Sequence, residues 1–525
     1  MTDTPASGKR RISRSTSILM CLYAVYLVLT FIGAARHEIW YDEAQAWNIA
    51  GGNDLWGIVE QMKYEGHPPL WHFLLHIFTL MGCSVDVLSF ISWTITSVTA
   101  GLILWKAPFE PILKGLILFS GGFLFYFSVN SRVYCLIPLI LVLIAMVYKR
   151  RNERPLLYGF LVALLATTHM MMCGLVGIIG IFMIIDLFSL WKSSSRRQNI
   201  LRIVGLLIAG VGVIVLTLPL LMSFQAVNLG NDMELSFTNI MSRFIFSFFN
   251  IVQSNLMDSN DFLLPVALKY IIDMVFSAVM LLMFVCLRHH RRPLIIHLVF
   301  SLFYIIVCEV LWFSLPPRGA VFLFMFAFVY WLAKEEPAAE RIEKPSRLSI
   351  LHLPESLRSP NRKAEKCFCT LLCAYYAATI PIGSYVLFAD YVTDYSQSKK
   401  CAEFIRENIG RDAVFITTHD QYPQYAAYLP GYRFYNLATN EFMNYTSHIN
   451  DDPTLLDSPY CKKAYEDLKD IDELYLMDFS IFQFYDFEVV YHGSGSLIGS
   501  TNRSDENVTI YRIDADVLLD YSMRQ

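Results

Sequence analysis

Two neighbouring carboxylates stand where they are costly to keep. The run Trp40-Tyr41-Asp42-Glu43-Ala44-Gln45-Ala46-Trp47 sets an acidic pair among aromatics, just after the first apolar segment of membrane length. Further along the same connection comes Tyr64-Glu65-Gly66-His67-Pro68-Pro69-Leu70-Trp71. A carboxylate at the mouth of a membrane helix can accept a proton from a substrate hydroxyl or hold a cation. The plain alternative is that Asp42 and Glu43 only cap a juxtamembrane helix, since acids suit a first helical turn. His67 is held extended by the proline that follows it. Its imidazole suits a cation shared with a carboxylate, a hydrogen bond to a substrate, or simply an interfacial position.

The rest of the chain supplies the membrane. Of 525 residues, 55% are hydrophobic and only 17% are charged, against roughly a quarter charged in soluble proteins. The net charge of −4 says little about partners, because the charges are sorted by region, and it gives no ground for a nucleic-acid partner. The 11 cysteines show no metal-finger or CxxC spacing. Only Cys401 and Cys461 lie in the polar tail, where a disulfide is open to them. Lys9, Arg10, Arg11 and Arg14 precede an apolar stretch over 18–35, longer than a cleavable signal's, so it reads as an uncleaved anchor.

Apolar runs predict about eleven transmembrane helices, near 16–35, 87–105, 111–128, 133–148, 155–170, 172–191, 199–222, 264–287, 293–313, 318–333 and 367–389. The segment 68–82 is apolar too, but short, and it opens on two prolines. If it does not cross, the basic stretches 149–154, 192–202, 288–292 and 334–366 all fall on the side of the N-terminus. That satisfies the positive-inside rule, and a crossing would invert every one of them. The segment is therefore expected to be re-entrant or interfacial. The fold class expected is a polytopic α-helical membrane protein, residues 1–390, with a small C-terminal α/β domain over 391–525. The 36–86 loop and the tail lie outside the cytoplasm, and the N-terminus and the 334–366 linker lie within it. Residues 236–252 read as an amphipathic helix on the membrane surface. In the tail, 413–418, 433–437, 473–479, 488–491 and 508–513 read as strands, with helices over 398–409 and 460–469.

This sidedness brings further polar groups to the face that holds Asp42. Arg132 follows the third span, His169 ends the fifth, Glu309 lies one turn from the outer end of its helix, and Arg318 follows Pro316-Pro317. Arginine suits a phosphodiester through its two-pronged fork. Taken singly, each is as well explained by snorkelling or structure. Their shared face, in a chain so poor in charge, makes the set more telling than its members. Asp186 and His297 fall toward the opposite ends of their spans and read as packing or snorkelling; Asp273 lies near mid-depth.

The acidic pair after the first helix, with a His-Pro-Pro-Leu-aromatic run in the same loop, resembles the glycosyltransferase C superfamily. The likeness is to the protein mannosyltransferase and aminoarabinose transferase branch, and it covers 36–71 in motif and 1–320 in layout. The resemblance implies transfer of a monosaccharide from a polyprenyl-phosphate donor to a glycan, lipid or protein acceptor at the outer face. Asp42 matches the position of the catalytic base. Glu43 then binds the acceptor or orients the loop, while His67, Arg132, His169, Glu309 and Arg318 contact substrate. Asp42 and His67 are the candidate ligands of a divalent metal (Mg, Mn or Zn), and no organic cofactor is expected. Family members usually carry an acid beside the arginine of the second outer loop, and this chain has none near Arg132. Two other readings remain: a transporter or lipid flippase, which needs ionisable groups at mid-depth, and a non-catalytic envelope assembly partner. The sidedness itself is testable. Cysteines introduced at Ser346 and Ser500 should label from opposite sides of the membrane, and equal labelling of both from outside would overturn the arrangement.

Overall fold

The computed structural model describes residues 14–65, 67–226, 266–307, 316–336, 362–393, 396–417, 422–446, 458–479, 486–494 and 507–523. The segment 236–252 and Glu309 lie outside them. The described chain is mostly helical, with a small C-terminal sheet. Six described helical stretches are long and apolar enough to cross a membrane: Ser15–Arg36, Val87–Lys106, Met170–Leu190, Arg196–Val215, Pro317–Glu335 and Lys363–Val392.

The bundle begins with α1 (Arg14–Arg36), and the polar connection after it folds into three helices, α2 (Tyr41–Gly52), α3 (Leu55–Glu65) and α4 (Leu70–Leu80). With 11 residues, α4 spans about 16 Å, roughly half a hydrocarbon core. It lies against α2 through buried Trp71 and Leu75, and its His76 Nδ1 meets the Ala50 carbonyl at 2.6 Å. After α5 (Val87–Lys106), three of the expected spans come out short or broken. α6 (Pro111–Leu118) gives way to a π-helical turn at Gly122–Tyr126, and α7 (Leu136–Tyr148) starts only after a 3-10 turn at Val133–Cys135. α8 (Pro155–Ala166) stops short of another such turn at Met170–Met172, which leads into α9 (Cys173–Leu190).

Hydroxyl side chains mark these breaks. Ser128 Oγ donates to the Leu124 carbonyl at 3.0 Å, Thr167 Oγ1 to Leu164 at 2.9 Å and Thr168 Oγ1 to Leu165 at 2.7 Å. Such back-bonding competes with the helical ladder. The apolar runs over 111–128 and 155–170 thus each become a shorter helix and a turn, while the expected spans 264–287 and 293–313 extend beyond the described residues.

The chain continues through α10 (Arg196–Ala226), α11 (Val266–Cys286), α12 (Arg291–Tyr304), α13 (Pro316–Glu335) and α14 (Arg362–Val392). The hydrophobic window of α13 is 89% buried, against 22% for that of α1, so α13 is central and α1 peripheral. Outward-facing residues such as Val28 on α1, Phe188 on α9 and Leu207 on α10 give the bundle an apolar exterior, as a lipid solvent requires. α8 and α10 approach backbone to backbone: a Cβ on Gly159 would overlap the Gly205 carbonyl, and one on Gly205 would overlap that of Pro155. Small residues allow such contact where no water-driven hydrophobic effect presses helices together.

The tail forms a six-stranded sheet in the order β3-β2-β1-β4-β6-β5. Its strands are β1 (Val414–Thr417), β2 (Arg433–Asn436), β3 (Glu441–Phe442), β4 (Leu474–Asp478), β5 (Glu488–Ser494) and β6 (Asn507–Ile513). β1 pairs in parallel with β2 and β4, and the other pairings are antiparallel. The two faces differ. Val414 and Ile416 face a small core with α17 (Ser458–Leu468) and α18 (Ala515–Met523). Phe415, between them, faces α15 (Ser398–Asn408), α16 (Pro423–Tyr428) and a core continuous with the helical bundle. Cys401 belongs to the second core and Cys461 to the first, on opposite faces of the sheet, so no disulfide joins them.

Side-chain amides of α2 tie the α/β domain down. Asn48 Nδ2 donates to the carbonyls of Pro423 and Asn444, both at 2.7 Å, and Gln45 exchanges bonds with the Thr446 backbone at 2.7 and 3.0 Å. The 36–86 connection and the tail therefore share one end of the bundle. Replacing Gly205 with leucine should force α8 and α10 apart and cost about 1–3 kcal/mol. Thermal unfolding of the purified protein in detergent checks this, and an unchanged midpoint would show that the close approach is dispensable.

Candidate functional site

The site is organised from α2 outward. Because successive helical residues point about 100° apart, Asp42 and Glu43 cannot face the same way. Glu43 turns inward and is fully buried. Its carboxylate accepts the Trp40 backbone N–H at 2.7 Å, the Ser131 backbone N–H, and His37 Nε2–H at 2.9 Å. Half of the capping expectation is thus met, since Glu43 caps the start of α2. Asp42 turns the other way. Its side chain is 49% exposed, and Oδ2 receives a hydrogen bond from Arg132 Nη1 at 2.6 Å.

His37 was not singled out by the sequence, yet it holds this corner together. Its Nδ1 lies 2.9 and 3.1 Å from the two carboxylate oxygens of Asp390, near the end of α14, while Nε2 serves Glu43. Two ring nitrogens that both face carboxylate oxygens define a charged imidazolium. Burial opposes that charge, but the Asp390 and Glu43 carboxylates outweigh it and hold the His37 pKa well above 6.5. No local pattern announces a partner 353 residues away.

Around Asp42 lies a pocket of about 340 Å³, its open mouth included, lined by Glu65, His67, Trp71, His72, Arg132 and Thr168 among others. The structure thus brings together Asp42, His67 and Arg132. His169 is fully buried beside them, its ring 5.5 Å from that of His67 and 5.5 Å from that of Tyr134. Its Nδ1 accepts the Met171 N–H at 3.1 Å, which puts the proton of the neutral ring on Nε2. Arg318 joins through Tyr134, donating Nε–H to the phenol oxygen at 3.3 Å, while the Arg132 guanidinium lies 5.6 Å from the same ring. Glu65 sits in the 64–71 run and His72 just beyond it, and the fold places both in this wall, with the Tyr134 ring beside His169.

Three polar atoms of the pocket residues have no partner among the described residues: both ring nitrogens of buried His72 and the indole Nε1 of Trp71. Buried polar atoms in native proteins are nearly always satisfied, so an unsatisfied group in a pocket wall points to a ligand or water. A cation at Asp42 and His67 fits less well. Asp42 already faces a guanidinium at 2.6 Å, whose charge repels a second cation. Among the described residues, no group of three or more His, Cys, Asp or Glu side chains is arranged to hold a metal. His297, read as packing, does pack: its ring lies 4.1 Å from that of Phe326 and 4.9 Å from that of Phe284.

No protein-family model matches the chain, and no curated protein does.

The His37 cluster has a pH signature. Its stabilisation is fully present below the unfolded-state pKa of about 6.5 and is lost as pH rises through the raised folded-state value. Thermal stability of the wild type should therefore decline on the alkaline side. His37→Gln should remove that dependence and cost about 3–5 kcal/mol, because two buried carboxylates lose their counter-charge. Melting curves of both proteins across pH decide this; parallel profiles would take the imidazolium out of the account.

Proposed function

We propose that the chain is an integral membrane glycosyltransferase that moves a monosaccharide from a polyprenyl-phosphate donor to a cell-envelope glycan, lipid or protein at the outer face. In this reading the short and broken apolar helices complete the membrane passages expected from the sequence. One observation carries the proposal. A half-exposed carboxylate opposed by a guanidinium lies in a pocket with unsatisfied His72 and Trp71 atoms, at one end of an apolar bundle and beside the domain of the tail. The likeness of the 36–71 motif to the glycosyltransferase C superfamily gives that pocket its chemistry.

Phosphate is already a competent leaving group, so the reaction needs a base and positive charge more than a general acid. The acceptor hydroxyl oxygen attacks the anomeric carbon and its proton passes to the Asp42 carboxylate. As the new C–O bond forms, the bond from the anomeric carbon to the phosphate oxygen breaks, and its electron pair leaves with the polyprenyl phosphate. Arg132 can exchange its Asp42 contact for a phosphate oxygen, which frees the carboxylate to act as the base. Arg318, held against Tyr134, adds a second guanidinium on the same side. Neutral His169 offers its Nε2–H to a sugar hydroxyl or phosphate oxygen, and His67 and Glu65 complete the polar wall. No step is routed through a metal.

Asp42→Asn preserves size and removes the proton acceptor, so transfer from a polyprenyl-phosphate sugar should fall about 10²–10⁴-fold with little loss of folded protein. Wild-type activity should survive exhaustive chelation, since guanidinium groups supply the positive charge. Near-normal transfer by Asp42→Asn would leave Asp42 as a helix-end residue only. Lipid translocation without transfer would favour the transporter reading.

A further inference from the structure

The end of the bundle away from Asp42 holds a second polar cavity, of about 440 Å³ with its open mouth included, lined by Arg151, Asn152, Tyr158, Asp186, Arg202 and Arg292 among others. The helices themselves separate the two sites. α9 leaves the His169 turn and reaches Asp186 after most of its 18 residues, a full length of about 27 Å. α7 likewise starts beside Arg132 and ends at Tyr148, next to Arg151.

Charge in this cavity does not balance. Asp186 receives Arg151 Nε at 2.9 Å, Arg292 Nη2 at 2.5 Å and Asn152 Nδ2 at 3.1 Å, so both carboxylate oxygens are engaged. Arg202 is the third guanidinium and has no carboxylate within ion-pair distance among the described residues. Its Nη1 donates to two neutral oxygens, Ser194 Oγ at 2.8 Å and Asn199 Oδ1 at 3.1 Å. Its Nε–H has no acceptor among the described residues, although the residue is only 9% exposed. A buried guanidinium with no carboxylate in direct contact is costly to hold. A purely structural ion cluster would be content with Arg151, Arg292 and Asp186.

We propose that this cavity binds a phosphate group, with Arg202 Nε and the Arg151 and Arg292 guanidiniums as its donors. Two sources share that chemistry: the headgroup of an anionic lipid and free phosphate. The surroundings favour the lipid. Phe188 on α9 is 73% exposed and Leu207 on α10 is 64% exposed, so the two helices that carry Asp186 and Arg202 each have an apolar outer side for acyl chains. A basic pocket between helices at a membrane boundary is the form that headgroup sites take.

The test uses the full chain in detergent, titrated with phosphatidylglycerol, phosphatidylcholine or inorganic phosphate, with thermal midpoint and native mass spectrometry as readouts. Phosphatidylglycerol should raise the wild-type midpoint and remain bound, and Arg202→Gln should weaken its apparent affinity about tenfold. Phosphatidylcholine should protect far less. Protection by inorganic phosphate alone, lost in Arg202→Gln, would keep the phosphate site and make its ligand the free ion. The same phosphatidylglycerol response in wild type and Arg202→Gln, or no response of the wild type to either phosphatidylglycerol or inorganic phosphate, would overturn the site. Should Arg202→Gln not fold, Arg202→Lys keeps the charge but lacks Nε–H, and an unchanged affinity there would overturn it equally.

Discussion

A buried imidazolium between two carboxylates sets the geometry on which the rest of the outer connection depends. His37 links the end of α1, the first turn of α2 and the end of α14 through Glu43 and Asp390, with contacts of 2.9 Å on each side. A buried ion cluster of this kind adds little net stability, because desolvation offsets most of the Coulomb attraction. Its effect is on position. With both nitrogens engaged, the ring cannot turn without leaving a carboxylate uncompensated. α2 is thereby fixed against two membrane helices, and Glu43 is fixed with it.

That constraint explains why an acidic pair is needed where a single acid would seem enough. Glu43 serves the backbone: it accepts N–H groups from Trp40 and from Ser131, 88 residues away. Ser131 lies in the break between the π-helical turn and α7, where irregular backbone in an apolar setting must find partners outside the helix. The break in turn presents Arg132 to Asp42. The two carboxylates divide the work, one satisfying the interrupted helix and the other facing the pocket that the interruption opens.

Much of this was legible in sequence, and the rest was hidden for identifiable reasons. Alternating apolar residues gave the strands at 413–418, 433–437, 473–479, 488–491 and 508–513, each of which overlaps an observed strand. The two-residue β3 and the six-residue α16 are too short to carry a period. Asp42, His67 and Arg132 could be grouped because the basic clusters fixed a common side for them. Hydropathy windows could not show that the apolar runs over 111–128 and 155–170 would break into shorter helices and turns. Nor could they say which acid of the pair would turn inward, since that depends on His37 and Asp390, which only the fold brings together.

The two ends of the bundle handle charge by opposite means, and this bears on what each can bind. At the Asp42 end, Arg132 is matched by a half-exposed carboxylate that can let it go, so the guanidinium is held ready without being spent. Exchange is cheap there because Asp42 is still partly hydrated when it separates. At the other end the Asp186 side chain is only 8% exposed and is held by two arginines, so releasing either would strand a buried charge. The first arrangement suits a group that must arrive, react and depart. The second suits one that stays.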